Sequence, residues 1–316
     1  MKAFIKTRYG GPEILRFEEV ERPSVKADEV LVEVMANSVN PADWHILRGK
    51  PYFARLSYGL LKPKHKIPGT DFAGVVVKAG TNVTHLKAGD KVFGHHLKGG
   101  AFAEYISVPA NSCALMPTGT DYTEMACVPL AGSTAYQALV IHGQLRKNET
   151  VLINGGSGGV GHFAVQIAKA CGAKVTAVCS SKNADFVTGL GADRVIAYDK
   201  ENIHQHEGQY DLVIDTNGNL SHADYKRMGK RGVMVGFTTM GHMMSVSLRK
   251  AFSRFPLAQF TAEADAMDLD VLGTLIYKNK LKVHLTQTYS QHDIPEALSY
   301  IEKMRTKGKI AIRWLR

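Results

Sequence analysis

The sequence predicts an α/β protein in which a doubly wound parallel sheet is inserted into a β-rich, barrel-like domain. Three observations carry that expectation. A short apolar strand, Val151-Leu152-Ile153-Asn154, runs straight into Gly155-Gly156-Ser157-Gly158-Gly159-Val160-Gly161 and then into a helical stretch. Beyond it strand and helix alternate at the spacing of βαβ units, which argues a parallel sheet with helices on both faces. About the first hundred residues instead read as β-branched runs punctuated by glycine and proline, with few helical periods.

In chain order, residues 1–8 read as a first strand. They lack the long apolar stretch and cleavage site of a secretory signal. Residues 29–34 and 74–77 are β-branched runs, and Ala88-Gly89-Asp90 and Lys98-Gly99-Gly100 supply turns. The character changes at residues 117–122, and 123–142 read as helix. Strands are then expected at 151–154, 174–178, 194–197, 210–215 and 232–237, with a sixth at 244–248 and helices at 160–170 and 184–190. After Pro256 the pattern predicts a helix at 262–277, a strand at 282–286, a helix at 295–304 and a strand at 310–314. These late strands are expected to rejoin the first domain. The division is therefore 1–120 and 259–316 for the β-rich domain and 121–258 for the inserted one.

Composition narrows the function classes. A chain of 316 residues exceeds what one core usually holds, so two domains are expected. The longest apolar runs, such as 30–35, are strand-sized, far short of the roughly 20 residues that span a bilayer, so no transmembrane segment is expected. Four scattered cysteines (Cys113, Cys127, Cys171, Cys179) form no C-x-x-C pair and read as buried small hydrophobes in a reducing, cytoplasmic setting. The net charge of +10 gathers in clusters at 62–66, 226–231 and 303–309. No nucleic-acid motif accompanies it, so a basic surface suited to an anionic cofactor is the preferred reading.

The glycine loop carries the chemistry. Backbone N–H groups and a helix N-terminus can hold a dinucleotide pyrophosphate, so Gly155, Gly156, Ser157, Gly158, Gly159, Val160 and Gly161 are assigned to it, with Val160 packing the helix onto the sheet. About 20 residues on, an NAD site usually carries an acid for the ribose 2′-hydroxyl. Here the second strand ends in Cys179-Ser180-Ser181-Lys182-Asn183, with no acid. Ser180, Ser181 and Lys182, joined by Tyr198 at the end of the third strand, suit a 2′-phosphate, so the cofactor reads as NADPH rather than NADH. His95-His96 and His204-x-His206 read as solvated loop histidines, and no metal is expected.

Asn40-Pro41-Ala42-Asp43-Trp44 with Arg48-Gly49, then Pro68-Gly69-Thr70-Asp71-Phe72-Ala73-Gly74, Gly89-Asp90-Lys91-Val92 and Ala131-Gly132-Ser133-Thr134-Ala135-Tyr136 precede the glycine loop in order. Together they resemble the medium-chain dehydrogenase/reductase superfamily, and within it the quinone oxidoreductase (zeta-crystallin-like) branch. The resemblance implies a GroES-like catalytic domain built from both ends of the chain, a Rossmann domain inserted in sequence, and a homodimer.

The zinc alcohol dehydrogenases of that superfamily carry Cys, His and Cys where this chain has Asn40, Thr70 and about Leu130, which are not zinc ligands. The cysteine-rich structural-zinc lobe is missing as well. The implied chemistry is zinc-independent hydride transfer to a quinone or an α,β-unsaturated carbonyl, whose charge delocalises onto an oxygen. The resemblance offers Asn40 as a carbonyl donor or a loop-stabilising amide, Asp43 as a loop-ordering group, and Tyr52 as a substrate hydrogen-bonder or pocket wall. It places Thr134 near the nicotinamide, and Asn217 and Phe237 near the cofactor's ribose or ring. Two alternatives stay open: an enoyl-thioester reductase using the 62–66 charge, and an NADPH-binding protein whose basic surface contacts RNA or membrane.

Overall fold

The computed structural model describes residues 1–236 and 239–315. In the N-terminal part β1 (Lys2–Ile5) pairs antiparallel with β2 (Arg16–Glu19). The long β3 (Glu29–Ser38) follows, then helices α1 (Pro41–Arg48) and α2 (Arg55–Tyr58), and strands β4 (Asp71–Ala79), β5 (Lys91–His95), β6 (Tyr105–Pro109) and β7 (Cys113–Leu115). Short α3 (Tyr122–Met125) leads into α4 (Pro129–Tyr136), which continues as a π-helical turn, Gln137–His142. Six strands alternate with helices after that: β8 (Thr150–Asn154), α5 (Gly161–Ala170), β9 (Lys174–Cys179), α6 (Ala184–Gly189), β10 (Arg194–Ala197), β11 (Leu212–Asp215), α7 (His222–Met228), β12 (Gly232–Met234), α8 (Met240–Ala251) and β13 (Leu257–Gln259). The chain ends with α9 (Ala266–Tyr277), β14 (Leu285–Ser290), α10 (Ile294–Ile301) and β15 (Lys309–Arg313).

Two compact units result: Met1–Ala131, Ala264–Tyr277 and the chain from Leu285 form the first, Gly132–Glu263 and Lys278–His284 the second. The first holds a sheet ordered β14-β15-β3-β4-β5-β7, with β6 added on β3. Period-two patterning drives it: Val30, Val32 and Val34 turn into one core with Phe72, Val76, Val92, Ile310 and Ile312. The last strand therefore completes a sheet begun by the first forty residues, with β15 antiparallel to β3.

The second unit is a six-stranded, wholly parallel sheet ordered β10-β9-β8-β11-β12-β13. Its strand order reverses between β8 and β11. In such sheets the ligand crevice lies outside the carboxyl ends of the strands at that switch point, which here is where the glycine loop leaves β8.

Some boundaries differ from the sequence reading. Residues 244–248 are helical, and the sixth strand is Leu257–Gln259. Met-Ser-Val-Ser-Leu alternates like a strand, but only Val246 is buried while Met244 and Leu248 face outward, and the Thr239 side chain caps the helix by accepting from the His242 N–H. Units change at 131/132 and 263/264 rather than at 120 and 258, and 278–284 belong to the second unit. Gln166 on α5 holds that segment from both sides, Nε2 donating to Lys282 O at 3.0 Å and Oε1 accepting from Lys282 N at 2.8 Å. Among the described residues no helix is long and apolar enough to cross a membrane.

Candidate active site

The glycine loop needs its glycines for separate reasons. Gly155 has φ +89°, and a Cβ there would lie 2.4 Å from Thr216 Oγ1 and 2.5 Å from Asn217 Oδ1. A Cβ on Gly161 would meet Gly155 O at 2.0 Å, so helix α5 can start against the loop only with glycine there. Gly158 is different: its Cβ would meet nothing closer than Gly155 O at 3.5 Å, which leaves the crest of the loop open to an incoming ligand. The Gly155 and Gly156 N–H groups both donate to Val178 O, at 3.0 and 2.9 Å, tying the loop to β9. Val160 precedes α5 with helical dihedrals, and no side chain caps that helix. An uncapped N-terminus beside an open glycine crest suits a pyrophosphate.

Ser180 follows β9 directly. Its Oγ is buried and has no partner among the described residues, an orphaned polar atom in the position expected to face a 2′-phosphate. Lys182 and Tyr198 are exposed, and Ser157 Oγ accepts from Asn183 Nδ2 at 3.2 Å. Ser181 departs from the expectation. Its N–H donates to Asp199 Oδ1 at 2.7 Å and its hydroxyl to Asp199 Oδ2 at 2.6 Å. An acid is therefore present after all, carried by the end of the third strand rather than the second. Those Ser181 hydrogen bonds, side chain first, hold the Asp199 carboxyl below the usual range.

A second acid, this one buried, shapes another side of the loop. Asp215, at the end of β11, accepts from Asn154 Nδ2 at 2.8 Å and from the N–H groups of Asn217, Gly218 and Leu220 at 3.1, 2.9 and 2.9 Å. Burial pushes its carboxyl upward. This staple fixes Asn217 against Gly155. Thr134 lies buried on α4. Phe237 lies outside the described residues.

In the first unit the Asn40, Thr70 and Leu130 positions do converge. Asn40 is buried, and its side chain is fully used: Nδ2 donates to Asp71 Oδ2 at 2.8 Å and Thr70 Oγ1 at 3.2 Å, while Oδ1 accepts from Lys309 Nζ at 2.5 Å. Leu130 N donates to Asp71 Oδ1 at 2.9 Å. Lys309 Nζ lies 3.7 Å from Asp71 Oδ2, with both residues buried. Asn40 has no amide hydrogen left for a substrate carbonyl, so the loop-stabilising alternative is the one its geometry fits.

Asp43 accepts from the Asn40 N–H at 2.7 Å, which matches its expected loop-ordering role. Burial, then the neighbouring Asp71 charge, push its carboxyl up to about 7 against the pull of Asn40, Thr70 and Lys309. Tyr52 is not drawn into this cluster. It is 66% exposed, with the Arg55 guanidinium 4.9 Å from its ring centre.

Two of the four histidines, His95 and His206, are buried and differ from their reading as solvated groups, whereas His204 is exposed. His95 ends β5 in register with Asp71, fully buried with neither ring nitrogen partnered among the described residues, and burial followed by His96 lowers it to about 4. His206 is buried, bonded to Glu201 at 3.0 Å and the Tyr210 hydroxyl at 3.1 Å, and His204 to Asp224 at 2.9 Å. No group of three or more His, Cys, Asp or Glu that could hold a metal ion occurs among the described residues. The roles of Lys309, Asp199 and Asp215 escaped the sequence reading, and His95 reads there as solvated. Only Asp199 left a signal there, one residue after Tyr198.

Comparison with known proteins agrees with this layout. Residues 26–118 match the alcohol dehydrogenase GroES-like domain family and residues 190–312 the zinc-binding dehydrogenase family. The chain is 33% identical, over 96% of its length and 95% of the relative's, to a chloroplastic quinone-oxidoreductase homolog of Spinacia oleracea. It is also 33% identical to an NADPH-dependent alkenal/one oxidoreductase of Arabidopsis thaliana, over 99% of this chain and 79% of that one. The solved quinone oxidoreductase of Coxiella burnetii superposes with a TM-score of 0.87 at 27% identity, covering 100% of this chain and 99% of that one.

Proposed function

We propose that this chain, which belongs to the quinone oxidoreductase branch of the medium-chain dehydrogenase/reductase superfamily, is an NADPH-dependent, zinc-independent reductase of quinones or α,β-unsaturated carbonyl compounds. The observation that carries the proposal is the buried Asn40–Thr70–Asp71–Lys309 cluster. At three positions where the zinc enzymes of the superfamily have metal ligands this chain has Asn40, Thr70 and about Leu130, and the Asn40 amide is bonded to the Thr70 hydroxyl and to the neighbouring Asp71 carboxylate and Lys309 ammonium. A simple alcohol or ketone gains most from a Lewis acid on its oxygen. A conjugated acceptor gains less, because charge arriving at its electrophilic carbon spreads onto a distant oxygen that water or a single donor can stabilise.

Bound NADPH would supply the hydride from nicotinamide C4, and the acceptor takes a proton from solvent or a side chain to complete the two-electron reduction. The chain's own contribution is to hold and orient. The open crest at Gly158 and the uncapped α5 receive the pyrophosphate, and the orphaned Ser180 hydroxyl with Lys182 and Tyr198 receives the 2′-phosphate. Much of the rate then comes from positioning. The test is NADPH oxidation against a panel of quinones and enals, with zinc measured on the same preparation. Turnover of conjugated acceptors by zinc-free protein is expected. Failure with every acceptor, or activity that tracks bound zinc, overturns the reading.

A further inference from the structure

From Trp44 to Thr70 the chain contains no Asp or Glu, yet it carries Arg48, Lys50, Arg55, Lys62, Lys64 and Lys66. Arg48 is paired with Glu302, and Arg55 is spent on the Gly49 carbonyl and the Tyr9 ring. Lys62, Lys64 and Lys66 are exposed and form no ion pair among the described residues. Lys98 and Lys6, from other parts of the unit, add positive charge beside His65.

The same stretch exposes apolar surface. Phe53, Leu56, Leu60 and Leu61 are 49, 73, 64 and 86% exposed, and Tyr52 lies beside them. Single exposed leucines are ordinary, but a run of large apolar side chains crowded into so short a segment marks a surface made to be covered. The backbone beneath is fastened. Tyr9 Oη donates to Gly59 O at 2.5 Å, Lys64 N to Tyr58 O at 2.8 Å and Lys6 N to Lys66 O at 2.9 Å.

We infer that residues 52–66 dock this protein on an anionic phospholipid surface, with Phe53, Leu56, Leu60 and Leu61 entering the headgroup–acyl boundary and Lys62, Lys64 and Lys66 facing lipid phosphates. Apolar side chains next to unpaired cations are the combination that such an interface rewards. The occupant follows from the charge. Pairing of this segment with itself in a second copy would set lysines against lysines with no carboxylate to relieve them. RNA would satisfy the lysines, and Tyr52 and Phe53 could stack on bases, but the most exposed apolar side chains, Leu56, Leu60 and Leu61, offer no aromatic face and gain nothing from a nucleic acid. This inference goes beyond the reductase reading and does not depend on it.

The test is flotation of the full-length protein with vesicles of phosphatidylcholine alone and of phosphatidylcholine mixed with phosphatidylglycerol. The wild type is expected to float with the anionic vesicles and not with the neutral ones, and to be released by salt. Lys62→Ala/Lys64→Ala/Lys66→Ala is expected to lower partitioning by about a hundredfold, roughly fivefold per cation. Leu60→Ser/Leu61→Ser should lose binding with all its charges in place. No flotation by the wild type, or unchanged flotation by either variant, overturns the proposal. A change of oligomeric state in the leucine variant would instead assign the patch to a second copy. RNA retention at physiological salt that the lysine variant abolishes would assign it to nucleic acid. Oxidation of NADPH by a water-soluble enone in vesicle-free buffer reports on the reductase reading separately, so the two fail independently.

Discussion

Around the glycine loop the protein leaves hydrogen-bonding groups open: an uncapped helix, a bare crest at Gly158 and an unpartnered Ser180 hydroxyl. Around Asn40 it closes them, so that both amide hydrogens and the carbonyl of one side chain are taken by Asp71, Thr70 and Lys309. A site that must bind a mobile ligand keeps donors in reserve. A site that must hold its own shape spends them internally, because a buried polar atom without a partner costs about 1–3 kcal/mol. The contrast separates a recognition surface, which the glycine motif announces, from a structural clasp, for which the resemblance offered Asn40 as either a carbonyl donor or a loop-stabilising amide.

The sharpest way to break that contrast is Lys309→Met. If the clasp is structural, removing the ammonium beside Asp71 should destabilise the fold by about 3–5 kcal/mol in denaturant unfolding. Adding Asp71→Asn should recover a measurable part, because the stranded carboxylate is then gone. An unchanged unfolding midpoint would mean that the buried pair contributes nothing.

Asp43 gives the pH signature of the same clasp. Its carboxyl is raised from 3.8 to about 7, so the native state holds a proton that the unfolded chain releases above about 4. That contribution to stability is fully present below about 4 and is lost as pH climbs to about 7. Asp43→Asn should flatten that decline, and the comparison is made by unfolding both proteins across this window. A wild-type curve that rises with pH there, with the variant parallel to it, would rule the assignment out.

On the open side the effects are smaller and should fall on cofactor binding rather than stability. Lys182→Ala should weaken NADPH by about tenfold, the loss of one charge-assisted contact, and leave NADH nearly unchanged in fluorescence titrations. Equal effects on both cofactors would show that the lysine does not read the 2′-phosphate. The smallest change expected is from Asp199→Asn. Its carboxylate sits on the Ser181 N–H and hydroxyl and repels a phosphate there, so the variant should bind NADPH a few times more tightly. Weaker NADPH binding would mean that Asp199 chiefly organises the loop.

What could be read from sequence was what the chain writes locally. The glycine loop, its strand and its helix are contiguous, and β9, β10 and β11 announce themselves by short β-branched runs. Lys309 could not be read, because its partner Asn40 lies 269 positions away and only the β15–β3 pairing joins them. Asp199 was missed because a fingerprint that inspects the end of the second strand does not see the third strand's loop folding onto it. His95 was misjudged because adjacent histidines before a Lys-Gly-Gly turn look solvated, whereas β5 extends through the first of them and buries it. Residues 244–248 misled because two periodicities fit five residues equally well. The cap at Thr239, which starts a helix there, decides between them.

The clasp at Lys309 also has a consequence in time. Asn40 and Asp71 leave the ribosome early, while the lysine that completes them follows Asn40 by 269 positions and reaches them only when β15 settles beside β3. During synthesis the second unit, most of whose sequence is continuous, has everything it needs to fold first. The first unit must wait half-built, with a carboxylate that has not yet met its cation. Its closure therefore waits until β15 has been made and set beside β3, and without that strand Asp71 would lack the ammonium that faces it.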